Sequence, residues 1–378
     1  MDQRRIKMSD IVIGQPLPWD VYDAGNHLLL RKGHVVEREQ QVEVLMARGL
    51  FVDAKDVQKK GDTPQPTQKE APSVLRVVNL ANKRLERLLF NMAAETEVES
   101  KILEVVQALS FAVNINSDIA LACILLNQTN GRYPVRHCVD AAIVSLLIAR
   151  ALKISADQTK AMAAAALTMN IGMLRHQERL QEIQGELSEQ DAGIIRDHPQ
   201  QGVVLLQQAG VTNAEWLSYV LMHHENENGS GYPGGKKGGE IPLCAKIISI
   251  ADRYCARVST RNYRKSLLPN AALRDILVAE KNNIDPALAT AFIRELGTFP
   301  TGSFVRLENG EVCVVTGKGS TTTSPIVHAL IGPRGVPLTF PIKRDTSKQL
   351  CTIREVLSED QANIRFSMQQ VWGDEARL

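Results

Sequence analysis

The stretch from residue 74 to residue 297 constrains the fold most, because it has the pattern of one helix after another. In 74-VLRVVNLANKRLERLLFNM-92, apolar residues recur three and four positions apart, as they do on one face of a helix. Three helix starts have capping-box spacing: Ser155 with Gln158, Ser188 with Asp191, and Thr212 with Glu215. No segment here alternates like a half-buried strand. The sequence therefore predicts one helical domain over residues 74–298.

The segments on either side of this helical domain have different patterns. Residues 1–55 combine strand-like runs with a helix expected at about 37–48, which predicts a small α+β module. Residues 56–73 contain three prolines and no apolar face, as linkers do. Near the other end, Asn309-Gly310 separates two strand-like runs and is a strong hairpin signal. Residues 299–378 are therefore expected to be β-rich, and the chain as a whole mainly α.

Composition excludes several classes of protein. Hydrophobic residues make up 44% and charged residues 23%, and the net charge is only +2, so nothing indicates a DNA-coating protein. The six cysteines are scattered without a CxxC pair, which favours a reducing compartment. There is no apolar core of a signal peptide, and the most apolar helix, 141–152, is too short to span a bilayer. We expect a soluble, cytoplasmic protein without a membrane span.

Histidine placement is the informative chemical feature of the helical region. His137 follows a helix start at Pro134, His198 lies in 195-IRDHPQQG-202, and His223-His224 precedes a glycine-rich loop. Asp252 lies in an otherwise apolar helix. Imidazoles and carboxylates from several helices are how a bundle holds divalent metals. A single histidine is more often a satisfied core or surface residue, so the residues alone leave both interpretations open.

A contiguous segment resembles the defining part of HD-GYP domains. The stretch 223-HHENENGSGYPGGKKGGEIPLCAKIISIADRYCARVSTRNYRKS-266 contains HHE, GSGYP, EIP, IAD and YRK at the family's spacing over 44 residues. His137 and His198-Pro199 extend the match upstream, so the resemblance covers roughly residues 125–298. It implies a helical HD-GYP-type bundle. The flanking segments also resemble accessory regions that accompany this domain in some bacterial proteins.

The resemblance also indicates which residues of this chain would form the site. HD-GYP domains hydrolyse cyclic di-GMP with two or three metals, often iron or manganese, held by histidines and aspartates. The positions here that match metal ligands are His137, His198, His223, His224 and Asp252. The positions that match the nucleotide-binding part of the family are Gly231, Tyr232, Pro233, Arg261 and Arg264. Guanidinium groups suit phosphate recognition because their donors form a planar fork.

The chain departs from the family at its namesake motif. Where HD-GYP domains carry HDIGK, this sequence has Met169-Asn170-Ile171-Gly172-Met173. A thioether binds hard divalent metals poorly, and a neutral amide bridges two cations less well than a carboxylate. Met173 stands in place of a lysine that would assist the phosphate chemistry. We therefore expect no intact catalytic group at Met169, Asn170 or Met173, and at most one divalent transition metal, iron or manganese, rather than a binuclear centre.

Three functions remain open at this point. The first is a non-catalytic regulator that binds cyclic di-GMP or a signalling protein such as a diguanylate cyclase. The second is an active phosphodiesterase with an atypical mononuclear centre, built on the surviving ligand-type residues. The third is a protein-interaction scaffold that binds no nucleotide. Metal content and nucleotide binding distinguish the three.

Overall fold

The structure is a computed structural model that forms two compact units, residues 1–70 and 71–378. It describes residues 3–5, 11, 14–17, 19–25, 27–36, 51–53, 72–127, 130–183, 185–259, 267–279 and 282–378. The expected helix at 37–48 and most of the expected linker at 56–73 lie outside the described residues.

The first unit contains a four-stranded antiparallel sheet. Its strands are β1 Gln3–Arg5, β2 Val21–Tyr22, β3 Leu28–Leu30 and β4 Phe51–Asp53, in the order β1-β4-β2-β3. A small apolar core covers it, made by Ile11, Leu17, Trp19, Val21, Val36 and Val52. Burying these side chains stabilises a sheet that would be marginal without an apolar face.

The second unit begins with a helical bundle, as the sequence predicts. Its described helices are α1 Val74–Phe90, α2 Val98–Ile115, α3 Ser117–Leu126, α4 Tyr133–Leu152, α5 Ala156–Thr168, α6 Leu174–Glu182, α7 Glu189–Gln208, α8 Ala214–Met222, α9 Leu243–Val258, α10 Pro269–Arg274 and α11 Pro286–Leu296. A 3₁₀ turn, Ile171–Met173, joins the end of α5 to α6, and a π-helical turn, Asp275–Ala279, follows α10.

Helix α4 is the central helix of this bundle. Residues Pro134 to Ala149 are all buried, and α4 packs against α1, α2, α3, α5, α9 and α11. A helix that is apolar on all sides has to be enclosed by others, which explains this position. The first turns of α4 therefore place His137 in the interior rather than on the surface.

The helix caps confirm two of the three expected starts. The Ser155 and Ser188 side chains accept hydrogen bonds from the backbone N–H groups of Gln158 and Asp191, three residues later. The prediction for Thr212 was wrong, because Asn213 caps α8 instead. The Thr212 hydroxyl and backbone N–H both donate to Glu99, at 3.3 and 2.7 Å. The Thr212 side chain therefore links the segment before α8 to helix α2.

The expected hairpin at Asn309-Gly310 is confirmed. It joins the first two members of a five-stranded antiparallel sheet: β5 Phe304–Leu307, β6 Val312–Thr321, β7 Ser324–Ile331, β8 Pro337–Asp345 and β9 Ile353–Leu357. The strand order is β8-β7-β6-β5-β9. Gly310 has a φ of +87°, a conformation that glycine adopts without steric cost. Two short helices follow, α12 Glu359–Ala362 and α13 Met368–Trp372.

Among the described residues, no single helix is both long and apolar enough to cross a bilayer. Helices α2 and α3 reach the required length and hydropathy when taken together, but they are bent by 110° where they meet.

A buried hydrogen bond fixes α8 against the end of α5. Trp216 Nε1 donates to Thr168 Oγ1 at 2.8 Å, and the same hydroxyl donates to the Ala164 carbonyl at 2.8 Å. Both side chains are fully buried. This contact sets the position of the residues that follow each helix, Met169-Asn170 after α5 and His223-His224 after α8.

We expect Thr168→Val to lower the free energy of unfolding by roughly 1–3 kcal/mol, because it leaves the buried indole N–H of Trp216 without an acceptor. Urea denaturation followed by circular dichroism measures the loss. Thr290→Val is the matched control, since Thr290 is exposed and its hydroxyl donates to Pro286 O in the same local manner. The free energy of unfolding of this control variant is expected to lie within about 0.5 kcal/mol of that of the wild-type chain. Equal losses in both variants would contradict the assigned role.

Candidate metal centre

Four helices bring the predicted metal-binding residues to one place. His137 lies in the first turns of α4, His198 in the middle of α7, and Asp252 in α9, while His223 and His224 directly follow α8. Donor nitrogens of His198, His223 and His224 all lie within 4.8 Å of one another. His137 Nε2 lies 2.7 Å from Asp252 Oδ1.

The tautomers of two of these histidines are fixed by their own helices. His198 Nδ1 lies 2.6 Å from the Ile195 carbonyl, and His223 Nδ1 lies 2.7 Å from the Val220 carbonyl. A carbonyl only accepts, so each Nδ1 carries the proton and donates it. Each Nε2 is then left with a lone pair, the form in which imidazole binds a metal.

These two lone pairs face each other. His198 Nε2 lies 3.3 Å from His223 Nε2, and both rings are fully buried. Burial and the neighbouring His223 lower the pKa of His198 to about 3, so no proton bridges the two nitrogens near neutral pH. A buried polar atom without a partner costs about 1–3 kcal/mol, and a cation between the nitrogens would satisfy both.

Burial also keeps the other imidazoles of the cluster neutral. It lowers the pKa of His223, and it lowers the pKa of His224 well below its usual value with further help from His223. Neutral imidazoles need no deprotonation before they bind a metal ion. The three rings therefore meet the chemical requirements for holding a divalent transition metal.

Asp252 supplies the negative charge of the centre. Burial opposes its ionisation, but the hydrogen bond with His137 outweighs burial and holds the pKa of Asp252 below its usual range. The carboxylate is therefore ionised at neutral pH and can compensate the charge of a cation. Tyr133 stacks on the ring of His137 with centroids 5.5 Å apart and restricts its orientation.

The side chains at the altered motif are buried but differ in their surroundings. Met169 is fully buried and belongs to the apolar core of the bundle. Asn170 is also buried, and its Oδ1 has no hydrogen-bond partner among the described residues. Its backbone N–H faces the thiol of Cys138, the residue next to His137. Position 170 thus contacts the helix that carries His137 and has a neutral side chain, and Met173 is half-buried.

Gly172 holds this turn directly against α7. A Cβ at this position would lie 2.2 Å from the carbonyl oxygen of His198 and 2.8 Å from the backbone nitrogen of Gly202. Only glycine fits such a backbone-to-backbone contact. The turn that follows Met169-Asn170 therefore touches the helix that carries His198.

The glycine-rich loop borders the same cluster. Tyr232 stacks on His224 with ring centroids 4.7 Å apart, and its backbone N–H donates to the His224 carbonyl at 3.2 Å. A Cβ on Gly231 would lie 2.4 Å from both the His224 carbonyl oxygen and the Asn226 nitrogen. The loop therefore closes tightly over the histidines, and Pro233 is exposed at its outer side.

Sequence reasoning missed the residue that anchors this loop. The buried carboxylate of Glu225 accepts hydrogen bonds from the backbone N–H groups of Gly234 and Lys236, at 2.6 and 2.9 Å. The HHE triplet contained the signal, because an acidic residue directly before a glycine-rich loop can bind that loop's N–H groups. Arg261 and Arg264, predicted to meet phosphates, lie outside the described residues.

Comparison with known proteins agrees with this architecture. A family model described as an HD domain matches residues 115–288. The chain is 30% identical over 222 residues to the cyclic di-GMP phosphodiesterase PA4108 of Pseudomonas aeruginosa, which is 58% of this chain and 53% of that protein. It is 30% identical over 154 residues to the cyclic di-GMP phosphodiesterase response regulator RpfG of Xanthomonas campestris, 40% of each protein. The chain thus spans about half or less of these relatives.

A solved structure has the same fold. Bd1817, an HDG"Y"P protein from Bdellovibrio bacteriovorus, aligns with a TM-score of 0.51 and 17% sequence identity, covering 77% of this chain and 98% of that one. At this identity the likeness concerns the fold alone. The helical fold, the family match and the two relatives agree: residues 115–288 match the HD domain family, and the chain is similar to these two cyclic di-GMP phosphodiesterases.

Proposed function

We propose that this chain is a non-catalytic regulator in cyclic di-GMP signalling, with one divalent metal in the histidine cluster and cyclic di-GMP or a signalling protein as its ligand. The chain spans only part of its phosphodiesterase relatives, so their activity is not assumed for it. The observation that supports this most is the contrast between an assembled set of imidazoles and the neutral amide oxygen of Asn170, which has no hydrogen-bond partner among the described residues.

The chemistry of the cluster supports one ion rather than two. His198, His223 and His224 would hold it, with Asp252 available to balance its charge. Such an ion supplies Lewis acidity toward a phosphoryl oxygen. A second ion would need a charged bridging group, and Asn170 has none to offer. Without a paired clamp on the attacking and leaving oxygens, hydrolysis loses a main source of rate.

An active phosphodiesterase with a mononuclear centre is the second candidate. The observation that favours it is the facing Nε2 pair of His198 and His223, which is arranged to bind a cation. A pure scaffold is the third candidate, and it requires neither metal nor nucleotide. The following three experiments separate these functions.

The first experiment measures metal content. We expect protein loaded with manganese or iron to retain about one ion per chain, and His198→Ala or His223→Ala to weaken retention about tenfold or more by removing a facing nitrogen. Inductively coupled plasma mass spectrometry after dialysis measures the content. His27→Ala is the control, because His27 is exposed in the other unit. A wild-type chain that retains no metal would remove the basis of both metal-dependent functions.

The second experiment tests the altered pair directly. We expect wild-type protein with manganese to hydrolyse cyclic di-GMP no faster than the metal alone. Met169→His/Asn170→Asp is expected to bind more metal and to hydrolyse at least roughly 10²-fold faster, since one electrostatic contact is commonly worth that much. Chromatography of the product measures the rate, and Asn170→Asp alone reports on the bridging position without changing the core. Clear turnover by the wild-type chain would favour the second candidate.

The third experiment concerns the nucleotide. We expect Arg261→Gln and Arg264→Gln each to weaken cyclic di-GMP binding roughly ten- to hundredfold, because each removes a charge-assisted hydrogen bond to phosphate. Isothermal titration calorimetry measures the affinity. Arg334→Gln is the matched control, since Arg334 is exposed on the hairpin between β7 and β8. Absence of cyclic di-GMP binding by the wild-type chain would rule out the nucleotide as its ligand and leave a protein partner, as in the scaffold.

A further inference from the structure

A cavity lies against the Ile171–Met173 turn. Its volume is about 650 Å³, within the range typical of small-molecule sites. Its walls come from the corner that follows α1, from the first residues of α6 and from the end of α7. None of the residues predicted to bind metal or nucleotide lines it.

Apolar side chains form most of its wall. Leu89, Met92 and Leu174 are buried at its inner side, and Leu205 lies at the rim with 40% of its surface exposed. Phe90 adds an aromatic ring. An organic group that covered these side chains would gain roughly 25 cal/mol per Å² of apolar surface removed from water.

The charge of the cavity is positive. Arg175 and His176 line it at the start of α6, and both are exposed. Arg175 forms no ion pair or hydrogen bond with any residue that the structure describes. Glu95 is the one carboxylate among the described lining residues, and it is already paired with Lys101 and Arg87. The cavity therefore offers an uncompensated guanidinium next to an apolar wall.

We propose that this cavity binds an amphipathic organic anion. Its carboxylate or sulfonate would accept hydrogen bonds from Arg175, with His176 beside it, and its hydrocarbon body would lie against Leu89, Met92 and Leu174. A guanidinium favours a planar carboxylate because two of its N–H groups donate in parallel. Most small-molecule sites combine an apolar lining with few polar groups in this way.

The site is independent of the metal centre but adjoins it. Ile171 and Gly172 line the cavity, and the same glycine contacts the backbone of His198. The cavity and the helix that carries His198 therefore meet at Gly172. The proposal concerns binding in the cavity and holds whether or not the cluster carries a metal.

Decanoate is a suitable probe, used below its critical micelle concentration with the full chain at neutral pH. We expect saturable binding of one decanoate per chain by isothermal titration calorimetry. Arg175→Gln is expected to weaken it roughly ten- to hundredfold, as loss of a charge-assisted hydrogen bond does. Ala94→Trp, at an exposed position lining the cavity, is expected to abolish binding by filling the space.

Two controls separate specific binding from general surfactant adsorption. Arg334→Gln removes an exposed arginine elsewhere and is expected to leave decanoate affinity unchanged. Decyltrimethylammonium has the same chain length with the opposite charge and is expected not to bind. The proposal is overturned if this cation binds as tightly as decanoate, if Arg175→Gln has no effect, or if the wild-type chain shows no saturable binding. Circular dichroism establishes that each variant is folded.

Discussion

Two hydrogen bonds within single helices determine the chemistry of the whole centre. His198 and His223 each donate from Nδ1 to the carbonyl three residues earlier, so each ring exposes an unprotonated Nε2 toward the other. The donors and acceptors belong to the same helical turn, which means that the ring orientation is set locally. Burial then prevents protonation. The bundle as a whole only has to bring α7 and the end of α8 together, and the Trp216–Thr168 hydrogen bond contributes to that.

The candidate metal centre combines assembled imidazoles with a neutral side chain at position 170. Met169 contributes its side chain to the apolar core of the bundle. Asn170 has a buried, uncharged oxygen without a hydrogen-bond partner among the described residues. In a buried site the difference between a carboxylate and an amide is large, because little water is present to compensate a second cation. Under the proposed function, the distinction from an active enzyme therefore rests on the side chains of Met169, Asn170 and Met173.

Much of this could be predicted from the sequence, and the reasons are local. Apolar periodicity predicted the bundle, Asn309-Gly310 predicted the hairpin, and Ser155 and Ser188 predicted two helix starts, since each signal acts within a few residues. Thr212 was misjudged because its partner, Glu99, is distant in sequence. The loop-anchoring role of Glu225 and the Arg175 cavity depend on how helices pack, which periodicity does not specify. The roles predicted for Arg261 and Arg264 stay predictions.

The contact at Gly172 has a mechanical consequence. Two backbones that touch without intervening side chains have no rotatable groups to absorb a displacement, and protein interiors are too densely packed to compress. The turn and the middle of α7 must therefore move as one body. A displacement of the turn at the cavity wall would be passed to the backbone of His198, so this glycine makes the bundle stiff where the cavity meets α7.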